Sequence, residues 1–300
     1  MLNKLRELGN TLRYLVAHPV NERRRLSGVL RYARWQLGSR LVPGPVAVQM
    51  IDGVRILAAP GTPGATGAVY FGLHEFNDMA LTLQFLRQDD LFVDAGANVG
   101  SYTLLAASTG ARCMSFEPLP ATYQKLVANI GLNGWQSRVE AMNAGLGAVG
   151  GEIRFTVDED TANHVAYPND QGRTTLVPVV TLDETLAGQH PTLIKIDVEG
   201  YEIEVIRGAR KILAEQGPLA LIVEINDASH HYGSSEAEFL ELMEDLGGYR
   251  PYDYDPVERR LAPLTGVSQR SNNTIFTSDP AAVSDRVQSA PRRTVFGKSF

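Results

Sequence analysis

One cysteine in 300 residues removes whole classes of protein at once. Cys113 has no second thiol to pair with, which excludes an internal disulfide framework and a multi-cysteine zinc site. Its setting, Ala-Arg-Cys-Met-Ser-Phe, reads as a strand, so a small buried hydrophobe is the expected role. No stretch approaches the roughly 18 to 20 consecutive apolar residues that a membrane-spanning helix needs. The basic N-terminus lacks the compact apolar core and small-residue cleavage site of a signal peptide. The reducing cytoplasm is therefore the expected compartment. Internal repeats and low-complexity tracts are missing too, which argues against a solenoid or a disordered chain.

What is present is an ordinary globular composition, 44% apolar and 21% charged, with charge distributed unevenly. Residues 1–40 hold nine basic side chains (Lys4, Arg6, Arg13, Arg23, Arg24, Arg25, Arg31, Arg34, Arg40) against Glu7 and Glu22, a net of +7. Residues 280–300 hold Arg286, Arg292, Arg293 and Lys298 against Asp285, a net of +3. With −6 overall, the middle carries −16. A nucleic-acid enzyme needs a basic stripe across its working face, and an acidic body with basic ends does not supply one.

Leu2, Leu5, Leu8, Leu12 and Leu15 recur at helical spacing, as do Val29, Leu30, Ala33 and Leu37, so residues 1–40 are expected to form two basic amphipathic helices. Such helices either pack on the main domain or a partner subunit, or lie on anionic lipid at the inner face of a membrane. Residues 41–75, broken by prolines and glycines, are expected to be a short β-rich extension. From 76 to 280 strands and helices alternate, with strands at Leu91–Ala95, Arg112–Phe116, Val139–Ala144, Thr174–Val180, Leu193–Ile196, Ala220–Ile225 and Asn273–Thr277, and helices that include Ser101–Ser108 and Glu202–Leu213. The expected fold is α/β, a Rossmann-like doubly wound sheet that is mostly parallel, behind an N-terminal helical and β extension. Residues 281–300 read as a flexible basic tail.

The most informative segment is Asp94-Ala-Gly96-Ala-Asn98-Val-Gly100, set between a buried strand and a helix. A small-residue turn there forms a ligand cradle, since glycine allows close backbone approach and Asn98 tolerates a left-handed conformation. The spacing is not the Gly-x-Gly-x-x-Gly of a dinucleotide site. An acid two residues before the first glycine would repel pyrophosphate but suits the ammonium of a methionine moiety, which favours S-adenosylmethionine. The second strand ends in Phe116-Glu117-Pro118, where a carboxylate can accept both ribose hydroxyls and proline stiffens the turn. Asn143, at the end of the third strand, is placed to touch the adenine.

Over residues 70–278 the chain resembles the FkbM family of methyltransferases. The resemblance rests on the two motifs above, on Leu126…Asn129-Ile130…Asn133, on Thr181-Leu-Asp183, on Gly208-Ala209, on Val223-Glu224 and on Asn273-Thr-Ile-Phe276. Its most specific piece is Lys195-Ile-Asp197-Val-Glu199-Gly-Tyr-Glu202, which a generic methyltransferase lacks. It implies a class I methyltransferase fold, S-adenosylmethionine as donor, and O-methylation of a hydroxyl on a sugar, glycan precursor or natural product. The acceptor is then a small molecule, a sugar or a lipid-linked glycan. N- or C-methylation of another small molecule, or a non-catalytic binding module, are the alternatives. The Asn/Asp-Pro-Pro-Tyr signature of N-methyltransferases is absent, since Asp197-Val-Glu-Gly stands at the fourth strand.

Ligands of open α/β sheets sit beyond the carboxyl ends of the strands. There Asp197, Glu199 and Glu224 converge, with His230 and His231 in the following loop. Methyl transfer to an alcohol needs an acceptor for the hydroxyl proton. Asp197 is the first choice for that base, ahead of Glu199, Glu224 and His230. The three carboxylates are a conceivable hard-cation site, but acids at strand ends are common without metal and none is expected.

Overall fold

The computed structural model describes residues 2–157, 163–167, 172–216, 219–225 and 235–300. Two helices, α1 (Leu2–Ala17) and α2 (Arg25–Gly38), open the chain. A hairpin of β1 (Val46–Ile51) and β2 (Val54–Ala58) follows, then α3 (Pro63–Phe71) and α4 (Phe76–Phe85). The alternating part runs through β3 (Leu91–Ala95), α5 (Ser101–Ser108), β4 (Arg112–Phe116), α6 (Pro120–Asn133) and β5 (Val139–Met142). Three strands form a separate small sheet: β6 (Gly145–Leu146), β7 (Gly151–Thr156) and β8 (Thr174–Val180). The main path resumes with α7 (Leu182–Thr185), β9 (Leu193–Ile196), α8 (Glu202–Arg207), α9 (Arg210–Gln216), β10 (Ala220–Glu224) and α10 (Glu236–Gly247). It closes with β11 (Arg250–Asp255), β12 (Arg260–Pro263), β13 (Asn273–Thr277), α11 (Pro280–Gln288), β14 (Thr294–Val295) and β15 (Lys298–Ser299).

The main sheet has the order β12-β11-β13-β10-β9-β3-β4-β5. Strands β5, β4, β3, β9 and β10 are parallel, and β13 inserts antiparallel between β10 and β11. This is the doubly wound class I methyltransferase fold that the sequence implies. The chain first builds away from β3 on one side and then returns to start again at β9 on the other. The carboxyl ends of β3 and β9 therefore form the switch point where a ligand crevice opens. Val93, Ile194, Ile196, Leu221 and Phe276 are inaccessible to solvent, as befits a sheet covered on both faces.

Several of the polar residues that carry the family resemblance hold the frame together. Asn129 accepts the amide of Leu57 (2.8 Å) and donates to the carbonyl of Val99 (2.8 Å). Asn133 accepts from Arg55 N (2.9 Å) and donates to Arg55 O (2.7 Å). Two amide side chains on α6 thus satisfy the free edge of β2 and dock the hairpin. Asp183 accepts the amides of Lys211 (3.0 Å) and Ile212 (2.9 Å), capping the start of α9.

Three expectations are corrected. Residues 63–71, read as part of a β-rich extension, are helical: Pro63 at the first turn suits a helix start, and Ala65 and Ala68 are buried. The helix expected over Glu202–Leu213 is two, broken at Gly208-Ala209. Residues 281–300 are no loose tail. Val283 and Val287 of α11 are buried, Arg286 is ion-paired with Asp90, and Phe300 packs edge-on against Phe76 at 5.5 Å. The basic composition of that segment hid the apolar spacing that anchors it.

Candidate active site

A cavity of about 260 Å³ opens at the switch point, and two groups of residues meet in it. The first is the turn after β3. Gly96 (φ +83°), Asn98 (φ +51°) and Gly100 (φ +94°) all take left-handed conformations, and Asn98 stabilises its own by accepting Val99 N (2.7 Å). Glu117 locks the turn to the end of β4: its two oxygens accept Asn98 N (3.0 Å) and Leu119 N (2.9 Å). Each oxygen keeps a lone pair for a further donor. Burial pushes the Glu117 carboxyl up to about 7 against the pull of those two amides. Asp94 is 2% exposed and accepts Thr103 Oγ1 (2.5 Å), with burial raising its carboxyl to about 6. Two buried carboxyls at consecutive strand ends, neither in an ion pair among the described residues, fit a hydroxyl- and ammonium-bearing nucleoside cofactor.

Gly96 answers to the fold as well as to a ligand. A Cβ there would lie 1.8 Å from the carbonyl oxygen of Asp197, so the ends of β3 and β9 come together only over a glycine. Gly96→Ala is expected to cost about 3 kcal/mol or more, from overpacking and from a left-handed alanine together. Chemical denaturation checks it, and a wild-type midpoint would remove the contact from the account.

The second group surrounds β9. Lys195 is 1% exposed, and its Nζ lies 3.0 Å from Asp197 Oδ2 and 5.1 Å from the centroid of the Tyr102 ring. Residues two apart on a strand share a face, which brings the pair to one side of the sheet. Burial alone would lower the lysine, but Asp197, Glu75 and Glu224 outweigh it and hold the ammonium charged. Burial would raise Asp197, yet Lys195 and a hydrogen bond with Glu224 bring it below the ordinary carboxylate range. Glu224 goes the other way: burial and the neighbouring Asp197 keep its proton on. Asn272 donates to its other side at 3.3 Å.

Glu199 has a left-handed backbone (φ +53°), followed by Gly200 at +98°. Two such residues in succession need support, and Glu202 gives it: its Oε1 accepts Gly200 N (2.9 Å) and Val198 N (3.2 Å). The motif Val198-Glu-Gly-Tyr-Glu202 is therefore a turn whose last carboxylate fixes the shape of its middle. Burial, then Asp197 and Glu202, raise the Glu199 carboxyl to about 7. Asp197, Glu199 and Glu224 each offer an oxygen within 4.8 Å of the others, and the Lys195 ammonium already stands among them as a cation.

Among the expected site residues, Asp94, Gly96, Asn98, Glu117, Pro118, Asp197, Glu199 and Glu224 line the cavity. Gly100 begins α5 just behind it. Asn143 does not line it; its amide donates to the carbonyls of Glu117 and Pro118 (2.9 Å each), bracing the turn, while Ala144 and Gly145 face the cavity. His230 and His231 lie outside the described residues. Sequence reasoning missed His74, Glu75 and Tyr102. Glu75 accepts the Tyr102 hydroxyl at 2.7 Å, and among the described residues His74 Nδ1 is buried without a hydrogen-bond partner. Reading 41–75 as a β extension left no reason to bring His74 and Glu75 to the sheet. The small sheet adds an apolar wall of Ile153, Phe155, Val177 and Val179.

The description "Methyltransferase FkbM domain" matches residues 94–251, just over half of the chain. The hexuronic acid methyltransferase AglP of Haloferax volcanii is 30% identical over 167 residues, 55% of this chain and 66% of that protein. The methyltransferase sdnD of Sordaria araneosa is 28% identical over 178 residues, 44% of this chain and 65% of that protein. The chain thus spans just under two thirds of the length of each. A SAM-dependent methyltransferase of Agrobacterium tumefaciens aligns with 79% of this chain and 70% of its own at 11% identity and a TM-score of 0.41, too distant to bear on the site. With the family pattern running from the donor turn through the whole β9 and β10 region, the chain belongs to the FkbM methyltransferase family, whose methyl donor is S-adenosylmethionine.

Proposed function

We propose that this protein transfers the methyl group of S-adenosylmethionine to a hydroxyl oxygen of a small acceptor of sugar or glycan-precursor type. The observation that carries this reading is one cavity with a nucleoside-type cradle at one end and a cluster of carboxyls around Lys195 at the other. S-adenosylmethionine supplies an electrophilic methyl on a cationic sulfur. Polyol acceptors present several hydroxyls, and a site with both donors (Lys195, protonated Glu224) and acceptors (Asp197, Glu199) suits them. The hexuronic acid methyltransferase among the relatives supports a sugar-like acceptor.

Asp197 and Glu199 divide the work in this proposal. A carboxylate held ionised and low by an ammonium is a weak base, so Asp197 accepts a hydrogen bond from the acceptor and orients it. Glu199, at about 7, has the basicity that proton transfer near neutral pH requires. It takes the hydroxyl proton as the oxygen–carbon bond forms and the carbon–sulfur pair leaves on sulfur.

Calorimetry with S-adenosylhomocysteine tests the donor half. At 100-fold excess over its dissociation constant the ligand should stabilise by about 2.7 kcal/mol. Glu117→Ala should weaken binding by about 1–3 kcal/mol. Ribose hydroxyls donate to the ionised form of Glu117, and its carboxyl sits near 7 in the free protein. Affinity should therefore fall as pH drops below 7, by up to about tenfold per unit, with proton release on binding. Unchanged affinity in the variant, or a flat pH profile, would move the ribose site elsewhere.

A further inference from the structure

Helix α2 turns an apolar face to solvent. Leu26, Leu30, Ala33 and Leu37 recur at intervals of four, three and four, which at 100° per residue keeps them within about 60° of arc. Leu26 is 73% exposed, Leu30 47% and Leu37 71%, and Leu41 (83%) and Val42 (50%) follow. Elsewhere the described surface exposes large apolar side chains singly, which is normal. The stripe is not an unused inner face. Trp35 and Gly28 are buried on the opposite side of the helix. There Arg31 donates to the carbonyl of Tyr70 (3.1 Å) and stacks on Phe296 at 4.0 Å, and Gln36 donates to the Tyr70 hydroxyl (3.1 Å). The helix is fastened to the domain by one face and presents leucines on the other.

The charge around that stripe selects its partner. Residues 23–51 contain six arginines and no acidic residue. Arg31 is used internally; Arg23, Arg24, Arg25, Arg34 and Arg40 are exposed. On the helical wheel Arg34 lies about 80° to one side of Leu26 and Arg25 about 100° to the other, so cations flank the leucines on both edges. A leucine stripe between arginine rows is the pattern of a helix lying in the plane of a bilayer, with its apolar side in the acyl boundary and its cations among anionic headgroups. Among the described residues no helix is long and apolar enough to cross a membrane.

We propose that the outer face of α2 docks this protein on an anionic lipid surface. Tyr70 of α3 is held by α2, and the same helix sends Gly64 to the cavity lining, so the lipid-facing helix and the site share a neighbour. This goes beyond the methyl-transfer reading and does not depend on it.

Co-sedimentation of the full chain with phosphatidylcholine vesicles, with and without phosphatidylglycerol, tests it. The protein should pellet with the anionic vesicles only and be released near 1 M salt, where the Debye length is about 3 Å. Arg23→Gln and Arg34→Gln should each weaken partitioning about fivefold. Leu26→Ser/Leu30→Ser/Leu37→Ser should abolish it with an unchanged melting temperature and unchanged S-adenosylhomocysteine affinity. If that variant folds poorly, a polarity-sensitive fluorophore on Leu37→Cys serves instead, because Cys113 is buried and stays unlabelled. Its emission should shift to the blue with anionic vesicles. Equal pelleting on neutral lipid, retention by the triple leucine variant, or no spectral shift would overturn the proposal. So would a lipid-free dimer that the leucine substitutions dissociate, with no vesicle binding, since the face would then belong to a second copy.

Discussion

Glu199→Gln is expected to slow single-turnover methyl transfer by about 10²- to 10⁴-fold, the contribution of a general base, while S-adenosylhomocysteine still binds within about threefold of wild type. The amide keeps the volume and the hydrogen-bonding reach of the carboxylate and loses only its basicity. The pH profile carries the sharper signature. In the proposed reaction the working form of Glu199 is the ionised one, and its carboxyl sits at about 7 because of burial and the neighbouring Asp197 and Glu202. The wild-type rate should therefore climb as pH rises through about 7 and level off above it. In the variant that limb should vanish and leave a slow, flat rate. Asp197→Asn would also slow the reaction, but through the acceptor's placement, with a weaker grip on the acceptor and with the limb retained at a lower pH, because the Asp197 charge is one cause of the raised Glu199 carboxyl. A Glu199→Gln enzyme within a factor of three of wild type would pass the base role to Asp197 or to His230.

The fold was legible in the sequence wherever hydrophobic pattern and turn chemistry agreed. Strands β3, β4, β8, β9 and β13 and helix α5 stand at the residues their patterns predict. Apart from β8, where exposed and buried residues alternate, these elements are buried, so composition and structure answer to the same constraint. Legibility failed where tertiary contacts override local signal. Gly64, Gly67 and Gly72 in and after α3 look like loop punctuation, yet the helix is kept by packing: a Cβ on Gly67 would lie 2.9 Å from the His74 ring. The same error concealed His74 and Glu75, whose place on the cavity follows only once α3 and α4, the helices they join, both pack against α5.

The site was partly legible for a different reason. Asp94, Glu117 and the residues around Asp197 could be placed from strand ends alone, because a parallel sheet puts every carboxyl end on one edge. Their ionisation could not. Nothing in Lys195-Ile-Asp-Val-Glu says that the lysine points inward to Asp197, that Glu224 keeps its proton, or that Glu202 is spent on two backbone amides. Asp197 reads as the base from its place at the strand end; in the proposed reaction the buried ammonium beside it makes it an anchor.

That ammonium is the basis of the second large effect. Lys195→Met should destabilise the protein by about 3–5 kcal/mol, the cost of leaving one charge of a buried pair without the other. The methionine fills much of the volume and supplies no charge, so the loss reports the pairing rather than a cavity. In the wild type Asp197 is depressed by Lys195, so its contribution is complete above the ordinary carboxylate value and lost as pH falls through its lower folded one. Without Lys195 the balance reverses: burial then outweighs the hydrogen bond from Glu224 and raises Asp197, the folded state binds the extra proton, and stability should recover as the solution is made more acidic. Removing the second charge as well, in Lys195→Met/Asp197→Leu, should return most of the lost stability, since an apolar pair of similar size has no charge to desolvate. Denaturant titrations of the three proteins at neutral and mildly acidic pH read all of this. A single variant that loses less than about 1 kcal/mol, or a double variant no better than the single, would mean that the pair is not closed as described. The closed pair also has a chemical reason to exist under the proposed reaction. A bare carboxylate facing a cationic sulfur would stabilise the bound donor more than the transition state, in which the sulfur is losing its charge. Neutralised by Lys195, Asp197 can hold the acceptor without holding back the methyl group.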